Sequence, residues 1–300
     1  IYTLSLHDAL PICLFALIMN KTTKLWNGVE MPVIAFGTYK LVDHETCVNC
    51  VIEAIKCGYR HIDTAALYQN EEFVGEAIKK CGVPREELFI TTKIWINDSG
   101  YERAKNAFER AIKKLGLDYI DLVLVHQPFG DYYGTWKALE EFYEAKRVRA
   151  IGVSNFYPDR LMDLCLNCNI KPMVNQVEMH PFFQQSNALK FNNDLGIKVE
   201  AWAPLAKSGI ELFENETFKK IAKNHNKTVA QVVLRWNVQR GVTVLPKSSN
   251  PQRIKENFEI FDFELTNEEM EEISKFDKGT GQFSSHYDPD FVKKMCSYKV

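Results

Sequence analysis

The strongest constraint on the fold is a regular alternation of short apolar, β-branched runs with longer runs of helical periodicity, which begins near residue 24. This alternation is typical of βαβ units, in which crossover helices join parallel strands. Eight runs have the length and composition of buried strands: Val33–Thr38, His61–Ala65, Phe89–Ile94, Ile120–His126, Ala150–Asn155, Met173–Glu178, Lys198–Ala203 and Val242–Lys247.

Local patterns predict several further elements. Within Tyr101–Leu115 and Thr228–Arg240, apolar residues recur three and four positions apart, as on the buried face of a helix. Ahead of the first strand, the segment Thr23–Met31 contains Asn27 followed by Gly28, which predicts a hairpin with a type I′ turn.

Eight such units in one uninterrupted chain favour a closed (β/α)8 TIM barrel. An open doubly wound sheet would carry a G-x-G-x-x-G turn for a dinucleotide after its first strand, and none of the fifteen glycines forms that motif. We therefore expect residues 19–300 to form one α/β barrel, with an N-terminal β-hairpin and two extra C-terminal or peripheral helices.

Composition excludes several classes of function. The 300 residues are 46% apolar and 25% charged, which is ordinary for a globular protein with a sizeable core. The 37 basic and 39 acidic residues leave a net charge of −2. Because binders of nucleic acid or anionic membranes carry a basic excess, we expect neither as a partner.

Residues 1–18 differ from the rest of the chain. The apolar run over residues 9–19 is shorter than the roughly twenty residues of a membrane span. It also lacks the preceding basic residues of a secretory signal. The opening resembles translated sequencing-adapter text, so we expect translation to start at Met19 and residues 1–18 to be non-native or disordered. A signal peptide is the alternative.

Eight cysteines include two pairs with CxxC spacing, Cys47/Cys50 and Cys165/Cys168. Four thiolates can hold zinc, and one pair can be redox-active. The pairs lie far apart in the sequence and within helical patterns, so we favour free thiols that pack as small apolar groups and expect no metal site. Without a disulfide framework, a reducing cytoplasm is the expected compartment.

Four reactive side chains lie at or just beyond consecutive strand ends: Asp63, Tyr68, Lys93 and His126. Each has an ordinary explanation alone: Asp63 as a helix cap, Lys93 as a solvated charge and His126 as a core histidine. In a barrel, however, the carboxyl ends of the strands form the rim that carries catalytic groups. A buried lysine also requires a carboxylate partner.

The motifs around these residues resemble the aldo-keto reductase family. Gly58–Glu71, followed by Val74-Gly75, is similar to the family signature. Later motifs are similar as well: Leu124–Pro128, Ile151–Phe156, Asn175–Glu178, Trp202–Leu205 and Leu245–Ser249. The resemblance extends from about residue 24 to about residue 296. Within the family, the chain is similar to bacterial diketogluconate and morphine-type reductases. It implies a cytoplasmic monomer or weak dimer that reduces aldehydes or ketones with NADPH.

The resemblance implies a catalytic tetrad of Asp63, Tyr68, Lys93 and His126. Hydride addition leaves negative charge on the carbonyl oxygen, so a proton donor is needed there. Tyrosine is a weak acid with a pKa near 10. Lys93 would lower that pKa, and Asp63 would keep Lys93 charged. His126, as neutral imidazole, would orient the substrate oxygen.

The resemblance also implies how NADPH would bind. Trp202 would stack on the nicotinamide, whose carboxamide would contact Ser154, Asn155 and Gln176. The other residues implied for the cofactor are Gly37, Thr38, Asp63, Leu205, Lys247, Ser248, Arg253, Glu256 and Asn257.

The segment Lys247–Arg253 predicts an anion site. Asn250 reads as a helix N-cap and Pro251 as the first helical residue. A helix N-terminus flanked by basic side chains can hold the adenosine 2′-phosphate, which predicts a preference for NADPH over NADH. A surface helix with incidental charges is the alternative.

The substrate pocket is less well specified. Tyr39, Trp95, His126, Phe129 and Phe283 are expected to line an apolar mouth that is open near Pro128–Thr135, and aldehydes, dicarbonyls and sugar-derived ketones are all compatible with it. Two other functions remain open. One is an NADPH-binding regulatory or scaffold protein without turnover, and the other is a barrel hydrolase with Asp63 and Glu178 as paired carboxylates.

Overall fold

The computed structural model describes residues 21–207, 210–283 and 285–300. The expectations for residues 1–18 lie outside these ranges. The strands are β1 Thr22–Lys24, β2 Glu30–Pro32, β3 Ala35–Gly37, β4 His61–Asp63, β5 Phe89–Ile94, β6 Ile120–Val125, β7 Val148–Ser154, β8 Val174–Glu178, β9 Lys198–Trp202 and β10 Thr243–Val244.

Helices follow the barrel strands in the predicted alternation. They are α1 His44–Cys57, α2 Glu71–Lys80, α3 Tyr101–Leu115, α4 Tyr132–Glu144, α5 Pro158–Leu166, α6 Ser186–Asp194, α7 Ile210–Glu214, α8 Glu216–Asn224, α9 Val229–Gln239, α10 Pro251–Phe258, α11 Asn267–Ser274 and α12 Pro289–Ser297. The two extra C-terminal helices are α11 and α12, and α7 and α8 occupy the long connection from β9 to α9.

The predicted barrel is confirmed. Strands β3 to β10 form one parallel sheet in sequence order, and a parallel bridge between Ile34 and Val244 joins its two ends. The Val244 amide donates to the Val33 carbonyl over 3.0 Å, and the Gly37 amide donates to the Pro246 carbonyl over 3.0 Å. Because the ring is closed, the carboxyl ends of all eight strands surround one rim.

The predicted hairpin forms, but its type I′ turn is wrong. Strands β1 and β2 pair antiparallel, and the Gly28 amide closes a turn on the Leu25 carbonyl. A type I′ turn needs positive φ at both central residues, whereas in this loop only Gly28 has one, at 91°. The Asn27 side chain instead accepts a hydrogen bond from the Val29 amide, which stabilises a longer loop.

Helical periodicity correctly predicts which faces are buried. Ala104, Ala107, Phe108, Ala111 and Leu115 form the buried side of α3, and the residues of β5 and β6 are all buried. The main core lies inside the barrel and between the sheet and its helices. A smaller apolar cluster joins α8, α9 and α11 at the periphery.

The cysteines of the described chain are free thiols. Cys47 and Cys50 are buried in α1, and Cys165 and Cys168 are half-buried at the end of α5. Burial raises the pKa of Cys47 to about 12, so its reactive thiolate form is suppressed. The described ranges contain no cluster of metal-ligating side chains. In the same ranges no helix has both the length and the apolar character required to cross a bilayer.

Candidate active site

The predicted reactive side chains converge on one cavity at the carboxyl rim of the barrel. Asp63 ends β4, Lys93 lies near the end of β5, and His126 directly follows β6. Tyr68 belongs to a single 3₁₀ turn, Ala66–Tyr68, beyond β4. Asp63, Tyr68 and His126 line the cavity, which has a volume of about 850 Å³.

Lys93 connects Asp63 to Tyr68 through its donor hydrogens. Its Nζ lies 2.6 Å from Asp63 Oδ1, 2.9 Å from the Thr64 carbonyl oxygen and 3.4 Å from the Tyr68 hydroxyl. The ammonium also lies 4.9 Å from the Tyr68 ring centroid. The Lys93 side chain is fully buried. Its three acceptors therefore replace the hydrogen bonds to water that the charge loses on burial.

The electrostatics of this chain keep Lys93 charged. Burial alone would lower its pKa, but the neighbouring Asp63 and Tyr68 outweigh burial, so the pKa of Lys93 lies above its ordinary value. Burial raises the pKa of Tyr68, and the positive charge of Lys93 opposes that rise. The expected effect of Lys93 on Tyr68 is therefore present, but desolvation is larger, and Tyr68 holds its proton at neutral pH.

His126 is a neutral imidazole at the cavity wall. It is 7% exposed, and burial first and the charge of Lys93 second lower its pKa well below the ordinary value. Its Nδ1 is buried without a partner in the described chain. Because a buried N–H without a partner is rarer than a buried acceptor without one, we assign the proton to Nε2. The ring packs edge-on against Trp95 and Tyr68 at 4.9 and 5.8 Å.

A second wall of the cavity carries an indole ring and two amides. Trp202 Nε1 donates to Asn155 Oδ1 over 2.9 Å, while Asn155 Nδ2 donates to the His126 carbonyl and to Ser154 Oγ. Gln176 Nε2 donates to Asp63 Oδ2 over 2.9 Å. The Trp202 ring is thus fixed in orientation, half-buried at the rim.

The structure separates the remaining predicted residues into two groups. Those that line the cavity, besides the ones above, are Gly37, Tyr39, Trp95, Leu205, Lys247 and Phe283. Those outside its lining are Thr38, Phe129, Ser248, Arg253, Glu256 and Asn257. Thr38 is buried and donates from its amide and its hydroxyl to the Asp63 carbonyl oxygen, over 3.0 and 2.9 Å.

Phe129, which was predicted to line the pocket, is absent from the cavity lining. Its ring stacks on that of His286 at 5.6 Å, and His286, from the C-terminal segment, lies at the cavity wall instead. His286 Nε2 pairs with Gln127 Oε1 over 2.7 Å, and both of these residues line the cavity. Sequence reasoning missed this contact because it joins residues 159 positions apart.

The C-terminal segment supplies several other lining residues that the sequence did not indicate. They are Phe291, Lys294, Met295 and Tyr298. The Tyr298 carbonyl accepts from Trp95 Nε1 over 3.0 Å. The backbone amide of Gln282 donates to Glu178 Oε1 over 2.6 Å. The side-chain oxygen of Gln282 accepts from the backbone amide of Lys207. Glu178 thus anchors this segment and is absent from the cavity lining, which removes the basis for a carboxylate pair with Asp63.

The predicted helix start after Lys247 is confirmed. Asn250 Oδ1 accepts from the Arg253 amide over 3.1 Å, and Pro251 is the first residue of α10. The side chains of Lys247 and Arg253 are exposed. Glu256 accepts from Gln252 over 2.9 Å, and Asn257 is buried.

Comparison with known proteins gives one consistent result. Residues 33–278 match the model of the Aldo/keto reductase family. The chain is 50% identical over 257 residues to 9,11-endoperoxide prostaglandin H2 reductase of Trypanosoma cruzi, covering 85% of this chain and 90% of that protein. It is also 50% identical over 261 residues to glyoxal reductase of Bacillus subtilis, covering 87% and 94%.

A solved structure extends the similarity to three dimensions. The aldo-keto reductase of Bombyx mori, crystallised in complex with NADP, superposes with a TM-score of 0.84 at 35% identity. The match covers 91% of this chain and 96% of that one.

Proposed function

This chain belongs to the aldo/keto reductase family and is an NADPH-dependent carbonyl reductase, in which, we propose, Tyr68 is the general acid assisted by Lys93, Asp63 and His126. The observation that carries the proposal is the continuous set of contacts from Asp63 through Lys93 to the Tyr68 hydroxyl, at 2.6 and 3.4 Å. It supplies a proton donor and positive potential at one point of the cavity wall.

The residues act on the charge that develops in the substrate. NADPH, when bound, supplies the hydride that reduces the carbonyl carbon. The Tyr68 hydroxyl donates its proton to the carbonyl oxygen, and the ammonium of Lys93 stabilises the phenolate that remains. Asp63 keeps that ammonium charged and oriented. His126 donates a hydrogen bond from Nε2 to the same oxygen and so fixes how the carbonyl lies.

The cavity residues fit the cofactor. Trp202 presents a half-buried ring face for the nicotinamide. The nitrogen and the oxygen of the Asn155 side-chain amide already have protein partners, whereas the Gln176 side-chain oxygen accepts no hydrogen bond from a described residue. Gln176 would therefore be the main contact of the carboxamide, with Ser154 and Asn155 holding the wall in place. Gly37, Thr38, Asp63 and Leu205 would surround the ribose and pyrophosphate.

The preference for NADPH over NADH is proposed to come from the start of α10. Lys247, Ser248 and Arg253 would hold the 2′-phosphate at the helix N-terminus, with Glu256 and Asn257 near the adenine. Arg253→Ala should weaken the binding of NADPH by about tenfold, the loss expected for one charged hydrogen bond. The affinity for NADH should stay unchanged. Dissociation constants measured for both dinucleotides test this, and an equal effect on the two would contradict the phosphate assignment.

We propose small aldehydes and dicarbonyls as substrates, in line with the name of the Bacillus subtilis relative. Tyr39, Trp95 and Phe283 would form the apolar part of the pocket above His126. We further propose a cytoplasmic enzyme that works as a monomer or weak dimer.

The direct test follows the absorbance of NADPH at 340 nm with glyoxal, methylglyoxal and larger aldehydes as substrates. Substrate-dependent loss of absorbance is the expected result. Tight NADPH binding with no turnover of any carbonyl compound would instead favour the regulatory or scaffold alternative.

A further inference from the structure

A buried carboxyl group lies next to the tetrad and has no part in the scheme above. Glu200, in β9, is 0% exposed and lies two positions before Trp202. Because side chains alternate along a strand, Glu200 points to the same side of the sheet as Trp202, one layer deeper in the barrel. A carboxyl group in such a place is costly unless it makes hydrogen bonds that the fold needs.

Glu200 shares a hydrogen-bond donor with the tetrad. Gln176 Nε2 lies 2.9 Å from Glu200 Oε2 and 2.9 Å from Asp63 Oδ2. A side-chain amide nitrogen has two hydrogens, so these two carboxyl groups use both. A flipped amide would place its oxygen against the negatively charged Asp63 carboxylate, which is repulsive. The Gln176 nitrogen is therefore fixed inward, and its oxygen is the polar atom left for the cavity.

We propose that Glu200 is a positioning residue that fixes the amide of Gln176 so that its oxygen faces the nicotinamide carboxamide. The inference rests on the proposed cofactor role of Gln176 and extends it by one residue. Asp63 alone would hold one hydrogen and leave the amide free to turn about that bond. The second carboxyl group removes this freedom, so the acceptor is oriented before the cofactor arrives, which lowers the entropic cost of binding.

The surroundings of Glu200 suit an uncharged anchor. Burial first and the negative charge of Asp63 second raise the pKa of Glu200 to about 8. On its other side, His61 Nε2 lies 4.0 Å from Glu200 Oε1, and burial lowers the pKa of His61 to about 3. Glu200 therefore anchors Gln176 without adding a second negative charge beside Asp63, whose charge remains paired with Lys93.

The test compares two ligands on two variants. Glu200→Met keeps the length of the side chain but removes the acceptor, and Glu200→Gln retains an acceptor oxygen. The probes are NADPH and 2′,5′-ADP, which lacks the nicotinamide half. Glu200→Met should weaken NADPH binding by about tenfold, the loss expected for one well-oriented hydrogen bond, and leave 2′,5′-ADP unchanged. Glu200→Gln should bind both like the wild type.

A double substitution separates positioning from general damage to the fold. If Glu200 acts through Gln176, adding Glu200→Met to a Gln176→Ala variant should cause no further loss of affinity for NADPH. Equal weakening of both probes, or unchanged NADPH affinity in Glu200→Met, would overturn the proposal. If Glu200→Met does not fold, Glu200→Asp, whose carboxyl group is withdrawn by one methylene, should show the same selective loss. A wild type that binds 2′,5′-ADP but not NADPH would instead contradict the proposed function.

Discussion

At the scale of single residues, the Lys93 ammonium and the Asp63 carboxylate depend on each other. Both are buried, and 2.6 Å separates Nζ from Oδ1. Replacing one partner of such a pair leaves the other as an unpaired buried charge, which costs about 3–5 kcal/mol. The pair therefore serves both the chemistry at Tyr68 and the stability of the rim.

Lys93→Met should lower the free energy of unfolding by about 3 kcal/mol, because Asp63 then loses its counter-charge. Adding Asp63→Asn should recover part of that loss, since the double variant has no buried charge to satisfy. Urea unfolding at pH 7 measures both values. If the two substitutions destabilise additively, the charges are not coupled and the pairing described here is wrong.

The tetrad could be predicted from the sequence because its members lie at strand ends and within long motifs. Glu200 and His61 were missed because neither belongs to such an end. The available signal was the two-residue period of a strand: His61 precedes Asp63, and Glu200 precedes Trp202, by two positions. The contact of Gln176 with both carboxyl groups joins three different strands, so no local pattern contains it.

At the scale of elements, the glycine at the end of α1 packs against the last residue of α10. Gly58 caps α1 with φ at 111°, and a Cβ there would lie 2.6 Å from the Phe258 ring. Gly116 caps α3 with φ at 64°, but a Cβ there would meet no atom within 4 Å. Both glycines have positive φ, and only Gly58 has a neighbour close to where a Cβ would lie.

Gly116→Ala should cost about 1 kcal/mol through backbone strain alone. Gly58→Ala should cost more, by about 1–3 kcal/mol, because Phe258 must also move. Thermal and urea unfolding of the two variants give the comparison. Equal losses would mean that the ring yields freely and that α10 is not tightly packed on α1.

Prediction from sequence succeeded for elements whose ends are set by local chemistry. The helix α10 begins where Asn250 and Pro251 indicate, and α3 has the predicted bounds. It failed for the type I′ turn near Gly28, where the Gly28 amide donates to the Leu25 carbonyl in a loop longer than two residues. The last strand shortens from Val242–Lys247 to Thr243–Val244, because only those residues pair with β9.

At the scale of the whole molecule, the closed barrel buries titratable groups whose protonation is linked to folding. The unfolded chain releases the proton of Glu200 near its ordinary pKa of 4.5, whereas the folded chain holds it to about 8. Folding is therefore favoured by this group at low pH and loses that advantage as the pH rises from 4.5 to 8. His61 has the opposite effect: its lowered pKa costs stability as the pH falls below 6.5.

The wild type should lose stability relative to Glu200→Gln as the pH rises from 5 to 8, with a slope that approaches about 1.4 kcal/mol per pH unit, the value for one proton, in the middle of that range. Urea unfolding of both proteins across that range measures the difference. Parallel stability curves would show that Glu200 has the same pKa in the folded and unfolded states.

The central claim is that the Tyr68 hydroxyl donates the proton, and Tyr68→Phe tests it most directly. The value of kcat/KM should fall by about 10² to 10⁴, the usual contribution of a general acid, with an unchanged dissociation constant for NADPH. Tyr287→Phe is the matched control, since that tyrosine is 72% exposed and lies outside the cavity lining, and it should retain activity within about threefold. Tyr68→Phe with activity close to that of the control would contradict the account.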